Sequence, residues 1–205
     1  MRGIRIGGWA LALPALILIG LFLLLPGVLA LVGSLFHIDL GDRTVWRWAG
    51  LQNYTALFSD PAVVESIWNT VLYSAMTIIP SLVLGLGLAL LVASFRRVRP
   101  LLQVLLFLPF ATNMVAMAVV FRWIFANRGG FVNEALALVG LAPINFLGDS
   151  RYALITVALV GIWRLTSFVM IFYLAGLTSI PTALYEASAA DGLGPWSTFR
   201  RVTLP

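Results

Sequence analysis

Arg164 raises the first chemical question. It stands in "GIWRLTSFVM" (161–170), and no other charged residue occurs between Tyr152 and Ser179. A guanidinium stays protonated in a protein and offers five N–H donors and no acceptor. At the centre of a bilayer its charge costs at least about 2.5–3.5 kcal/mol, so it must face protein or water. Two roles follow. One is a polar contact on a solute pathway, made to hydroxyls or a phosphate. The other is a structural contact to helix carbonyls or a neighbouring subunit. Arg122, near the outer end of the preceding apolar run, can snorkel and is a second pathway candidate. Asn113 and Trp163 complete the set, with helix–helix hydrogen bonding and packing as their plainer roles.

Other chemistry is missing from the chain. There is no cysteine, and His37 is the single histidine. That removes a thiol nucleophile, a thiolate metal site and a histidine cluster. All 13 basic residues are arginine. Without lysine there is no phosphate-binding Gly-Lys-Ser/Thr loop and no Schiff-base chemistry. If ATP drives this protein, another chain binds it. No catalytic constellation, metal site or bound cofactor is expected.

The elements that must position these side chains are long and oily. The chain is 61% hydrophobic and 10% charged over 205 residues, with a mean hydropathy of +1.01. A soluble domain of this size has about a quarter of its residues charged, so the class is a polytopic, all-α membrane protein. Four runs reach the roughly 20 apolar residues needed to cross a bilayer: 9–36, 66–95, 100–125 and 152–179. A signal peptide is the rival reading of the first, because Arg2 and Arg5 precede it. Its uncharged run of 28 residues exceeds the roughly 7–15 of a signal core, so a retained helix is expected. None of the four spans carries Asp, Glu, Lys or His in its interior. That weakens a proton- or ion-coupled carrier and an intramembrane hydrolase.

Charge sets the expected orientation. With the N-terminus inside, the inner face holds Arg2, Arg5, Arg96, Arg97, Arg99, Arg200 and Arg201. The outer loops, 37–65 and 126–151, hold Arg43, Arg47, Arg128 and Arg151. This bias follows the positive-inside rule. Asp39, Asp42, Asp60, Glu65, Glu134 and Asp149 also fall outside, though acids weigh little in that rule. The sequence pI of about 10.4 would suggest nucleic acid in a soluble protein; here topology accounts for the arginines, and no nucleic-acid partner is expected. In the outer loop 37–65, Trp46, Trp48 and Tyr54 suit the membrane interface. "SDP" (59–61) can open a short helix, with Ser59 or Asp60 as cap and Pro61 first inside. Gly85, Gly87, Ala89 and Ala93 let a neighbouring helix approach.

The closing stretch, "YEASAADGLGPWSTFRRVTLP" (185–205), is polar and broken. One short helix opens at Pro181 and carries Ala183, Ala187 and Ala190 on one side. Gly192 stops it in a left-handed turn. A second helix restarts at Gly194 and Pro195 and lines up Trp196, Phe199 and Val202. Such a pair suits a groove on a partner protein, or equally an interfacial position with Arg200 and Arg201 at anionic lipid.

These residues resemble the cytoplasmic EAA loop of permease subunits of binding-protein-dependent ABC importers. The family pattern E-A-A-x-x-x-G, followed after nine residues by I-x-L-P, meets Glu186, Ala187, Ser188, Gly192, Val202, Leu204 and Pro205 here. Ser188 replaces an alanine and Val202 an isoleucine, and Asp191 also fits the common form. "GLQNYTALFSDP" (50–61), "NTVLYSA" (69–75), "LLFLPFATNMVAMAVVFRWIF" (105–125), "GGFVNEALALVGL" (129–141), "NFLGD" (145–149) and the run from Ile162 to Ala187 are similar to the carbohydrate-type branch. The resemblance implies a six-span permease fold whose last two helices lie beyond Pro205, as in a fragment or truncated product. It implies translocation of a sugar or related solute, such as a polyol or glycerol phosphate, by alternating access in a bacterial cytoplasmic membrane. The implied partners are a second permease subunit, a pair of ATPase subunits that use the ATP, an extracytoplasmic solute-binding protein and the bilayer. Residues 181–205 would be the ATPase-coupling loop, with Glu186 to Gly192 as the docking helix and its turn. The rival classes are an ion-coupled secondary carrier and a non-transport membrane scaffold.

Overall fold

The computed structural model describes residues 4–38, 46–95 and 97–205. Arg2, Asp39, Asp42, Arg43 and Arg96, which entered the charge count, lie outside the described residues, as does the side chain of Arg5. The chain divides into two compact units, Met1–Trp68 and Asn69–Pro205.

The first unit begins with α1 (Ile4–Ile19), a π-helical turn (Gly20–Leu24) and α2 (Leu25–Gly33). The widened turn has a local cause. Pro26 lacks an amide hydrogen and its ring crowds the carbonyl four residues back, and the Leu25 N–H reaches back five residues to Gly20. Residues Leu11–Gly33 form one apolar helix long enough to span. The expected span ran on to Phe36. Instead the helix stops at Gly33, and Phe36–Ile38 (β1) pairs antiparallel with Trp46–Trp48 (β2), Phe36 opposite Trp48. Alternation along β2 puts Trp46 and Trp48 on one face, where both meet the Phe36 ring edge-on at 5.7 and 5.2 Å. Asn53, on α3 (Gln52–Ser59), donates to the carbonyls of Ser34 and Phe36 at 2.8 and 3.0 Å. Gly50 makes the turn between ribbon and helix at φ +55°.

"SDP" opens the longest helix in the protein rather than the short one expected. α4 runs Pro61–Ser94, 34 residues. Asp60 is the residue that caps it, accepting from the Ala62 N–H at 2.9 Å. The span therefore starts five residues before Ser66.

The second unit packs α4 against α8 (Ser150–Ser179). Thr77, Ser81, Gly85, Ala89 and Val92 form the buried stripe of α4, at the three- and four-residue spacing of one helix face. A Cβ at Gly85 would stand 2.7 Å from Val169 Cγ1, and one at Gly161 2.7 Å from Tyr73 Oη. The two helices thus touch backbone to side chain at both points, as small residues permit. Gly87, expected to share that role, faces open space. Ala89, Val92, Met170 and Leu174 form the buried core. Pro80 stays inside α4 without ending it.

The third expected span is broken. α5 (Arg99–Ala111) and α6 (Met114–Ile124) meet at an 86° bend. Two features produce it. Pro109 removes an amide and disfavours helical geometry before it. Asn113 then starts a new helix, its Oδ1 accepting from Val115 and Ala116 N–H at 2.9 and 3.3 Å. α5 packs on α8. After α6, α7 (Phe131–Leu138) is held by Asn133, which is 5% exposed. Its amide donates to the carbonyls of Ala126 and Ile144 at 3.0 and 2.9 Å and accepts from the Ile144 N–H at 2.8 Å.

Candidate functional site

A cavity of about 570 Å³ lies between α4, α6 and α8 in the second unit. Its wall is mainly apolar. The polar groups on it are Tyr73, Ser74 and Thr77 from α4, Arg122 from α6, and Thr156 and Arg164 from α8. Arg164 sits at the middle of α8, and its guanidinium carbon lies 4.9 Å from the centre of the Phe110 ring. That cation–π contact offsets part of the cost of a charge at this depth. Its Nε is buried without a hydrogen-bond partner, as is Thr77 Oγ1. Unpartnered buried donors are costly in a folded protein and call for an explanation.

Aromatic rings bound the cavity at both ends. Phe110 lies tilted against Phe168, ring centres 4.5 Å apart, beside the bend between α5 and α6. At the other end Phe121 follows Phe125 at 6.3 Å, and Phe125 meets Phe146 edge-on at 5.5 Å. Thr156 donates to the Phe146 carbonyl at 3.2 Å there, and to Tyr152 at 2.8 Å. Gly161 keeps the α8 wall thin where Tyr73 and Thr77 cross it.

Of the four residues singled out for a solute pathway, Arg164 and Arg122 line this cavity and Trp163 and Asn113 do not. Trp163 is on the outer surface of α8, 45% exposed, edge-on to Phe121 at 5.3 Å. Asn113 uses its side-chain oxygen as the cap of α6. Tyr73, Ser74, Thr77 and Thr156 escaped the sequence reading, because a hydroxyl in an apolar helix usually bonds back to its own turn. The usable signal was the spacing of Tyr73, Thr77 and Ser81, which shares a face with Gly85.

The closing stretch folds into α9 (Thr182–Ala190), α10 (Pro195–Thr198) and a π-helical turn, Phe199–Thr203. Pro181 is the residue before the helix rather than its first member. Gly192, at φ +70°, makes the break. Ser188 is 5% exposed and binds the two pieces together. Its Oγ donates to the Tyr185 carbonyl at 2.8 Å and accepts from Thr198 Oγ1 at 3.3 Å. Tyr185 Oη lies 3.2 Å from Thr203 Oγ1. Replacing the family's alanine by Ser188 is therefore more than a small change, since the hydroxyl is used. Glu186, Ala187, Asp191, Gly192, Leu204 and Pro205 stay exposed, as do Ala183 and Ala190. Trp196 is 72% exposed and stacks on Phe199 at 5.4 Å. The outward face thus carries a carboxylate, small residues and an indole over a braced interior.

Comparison with known proteins agrees with this arrangement. The family described as "Binding-protein-dependent transport system inner membrane component" matches residues 81–205. The permease protein SmoG of the sulfoquinovosyl glycerol transport system of Agrobacterium fabrum is 34% identical over 203 residues, covering 99% of this chain and 66% of SmoG. The lactose transport system permease protein LacF of Rhizobium radiobacter is 32% identical, covering 98% of this chain and 67% of LacF. Among solved structures, a bacterial ABC transporter involved in import of the acidic polysaccharide alginate matches with a TM-score of 0.81 at 27% identity, over 96% of this chain and 66% of the matched one. The chain spans about two thirds of the length of these relatives. With these matches over nearly its whole length, and with its multi-pass helical architecture, the chain belongs to the inner membrane components of binding-protein-dependent transport systems, in the carbohydrate-type branch of ABC importer permeases.

Proposed function

We propose that this chain is the membrane-spanning permease part of an ABC importer for a sugar or related solute, and that the cavity beside Arg164 is part of the solute's passage. The observation that carries the reading is the cavity itself: midway along α4 and α8, roomy enough for a small solute, and lined by two donors without partners, Thr77 Oγ1 and Arg164 Nε. A permease has no bond to make or break, so its work is to bind weakly and change shape. In this reading the closing stretch faces the cytoplasm and receives a separate ATPase subunit. Closure of the ATPase pair pushes on α9, and alternating access follows. A second permease subunit and an extracytoplasmic solute-binding protein complete the assembly. The related alginate transporter has been crystallised in complex with a periplasmic protein that carries an alginate pentasaccharide, which supports the last of these partners. An ion-coupled carrier has less support, because no Asp, Glu or His is among the described residues that line the cavity.

The test uses the complete transporter. Ala187→Cys, on the exposed face of α9, should crosslink to the ATPase subunit, whereas Ser188→Cys, buried in the brace, should not. An assembled complex without any crosslink from position 187 would sink the docking role. For the passage, Ala118→Trp places an indole on the cavity wall. It should abolish solute uptake while the ATPase still co-purifies; undiminished uptake would remove the cavity from the pathway.

A further inference from the structure

We propose that the transported solute bears an anionic oxyacid group (a carboxylate, sulfonate or phosphate ester) and that Arg122 and Arg164 are two successive stations for it. This rests on reading the cavity as the solute's passage. Among the described residues that line the cavity there are two arginines and no carboxylate. Arg164 therefore holds a permanent positive charge at mid-helix with an aromatic ring beside it and no acid on the wall around it. A neutral sugar can accept hydrogen bonds from its free donors, but it leaves the charge without a counter-charge. An oxyanion supplies both, and charge-assisted bonds are roughly twice as strong as neutral ones. The unpartnered Nε of Arg164 and the buried Thr77 Oγ1 are donors that such a group can use. The aromatic rings at both ends offer faces to the apolar side of a sugar ring.

The two arginines sit at different depths. Arg164 packs on Phe110, just before the bend that begins α6. Arg122 lies eight residues along α6 from Met114, about 12 Å at 1.5 Å per residue. On α8 the same interval separates Thr156, at the Phe146 end, from Arg164. Arg122 is exposed at the Phe125 end and Arg164 is half-buried at the Phe110 end. An anion meets the weaker, hydrated cation first and the desolvated one second. The first station sets capture and the second sets commitment.

The test is uptake by the assembled transporter in proteoliposomes, with its binding protein and ATP. The probes are methyl glucosides whose sixth carbon carries a hydroxyl, a carboxylate, a sulfonate or a phosphate. At least one anionic probe should be taken up faster than the neutral one. Arg164→Gln should lower uptake of that anionic probe roughly tenfold to a hundredfold, the size expected for one lost charge-assisted contact, and lower uptake of the neutral probe by a much smaller factor. Arg164→Lys should restore part of the loss. Arg122→Gln should raise the half-saturating concentration without changing the maximal rate. Co-purification of the ATPase checks folding in each case. A neutral probe preferred by the unaltered transporter, no uptake of any probe, or equal losses for neutral and anionic probes in Arg164→Gln would each overturn the proposal. The two readings fail differently. If Ala118→Trp blocks uptake but the anionic probes are taken up no faster than the neutral one, the passage stands and the anion falls. If Ala118→Trp blocks nothing, the passage itself is wrong.

Discussion

The cavity wall and the closing stretch treat their polar atoms in opposite ways. Around the cavity, Thr77 Oγ1 and Arg164 Nε are buried and unpartnered. In residues 181–205, the hydroxyls of Tyr185, Ser188, Thr198 and Thr203 engage one another or a neighbouring carbonyl. A region whose buried donors are satisfied holds its shape when pushed. A region whose donors are left open gains when something else fills them. The contrast fits one part built to transmit force and another built to receive a ligand.

Four substitutions break or sharpen that contrast. Gly85→Leu attacks the scaffold beneath both regions, because even a Cβ there stands 2.7 Å from Val169 Cγ1 and 3.3 Å from the Met170 amide. Overpacking of this kind costs about 3 kcal/mol, so little folded protein should reach the membrane and no ATPase should co-purify. Gly192→Val acts on the closing stretch alone. Its φ of +70° costs an L-residue roughly 1–2 kcal/mol, and ATP hydrolysis should lose its coupling to uptake while the complex stays assembled. Ser188→Ala removes one bridging hydroxyl and should lower thermal stability by about 1 kcal/mol, with crosslinking from position 187 becoming less site-specific. Thr77→Val is the counterpart on the cavity wall. Its hydroxyl has no partner to lose, so the unfolding temperature should hold steady or rise slightly while uptake falls. A marked loss of stability in Thr77→Val would erase the distinction between the two regions.

Much of this architecture could be read from residue types because its causes are local. Asp60 and Pro61 mark the start of α4, since a carboxylate cap and a residue without an amide hydrogen suit the first turn. Gly192 marks the break after α9 because glycine tolerates positive φ. Arg164 is conspicuous because a charge in an apolar run must find company. What could not be read depends on partners distant in sequence or on a choice between two local roles. Asn113 in an apolar run can bond a neighbouring helix or cap a new one; with Pro109 four residues earlier the second wins, and the span breaks. Ser188 passes for a small residue until the second helix folds back and brings Thr198 within 3.3 Å. Asn133 looks like one polar residue in an outer loop, yet it ties together carbonyls eleven and seven positions away. The β1–β2 pair is too short for its alternation to stand out, and only three residues of each strand are paired.

The bend between α5 and α6 bears on how few torsions a shape change needs. A continuous helix of this length tilts as a whole or breaks hydrogen bonds along its middle. Here the bonds are already interrupted, and Asn113 has capped the orphan amides of the second half. α6 can swing against the cavity by changing backbone angles at Thr112 and Asn113, while α5 keeps its packing on α8. Two residues then carry the freedom of a wall eleven residues long.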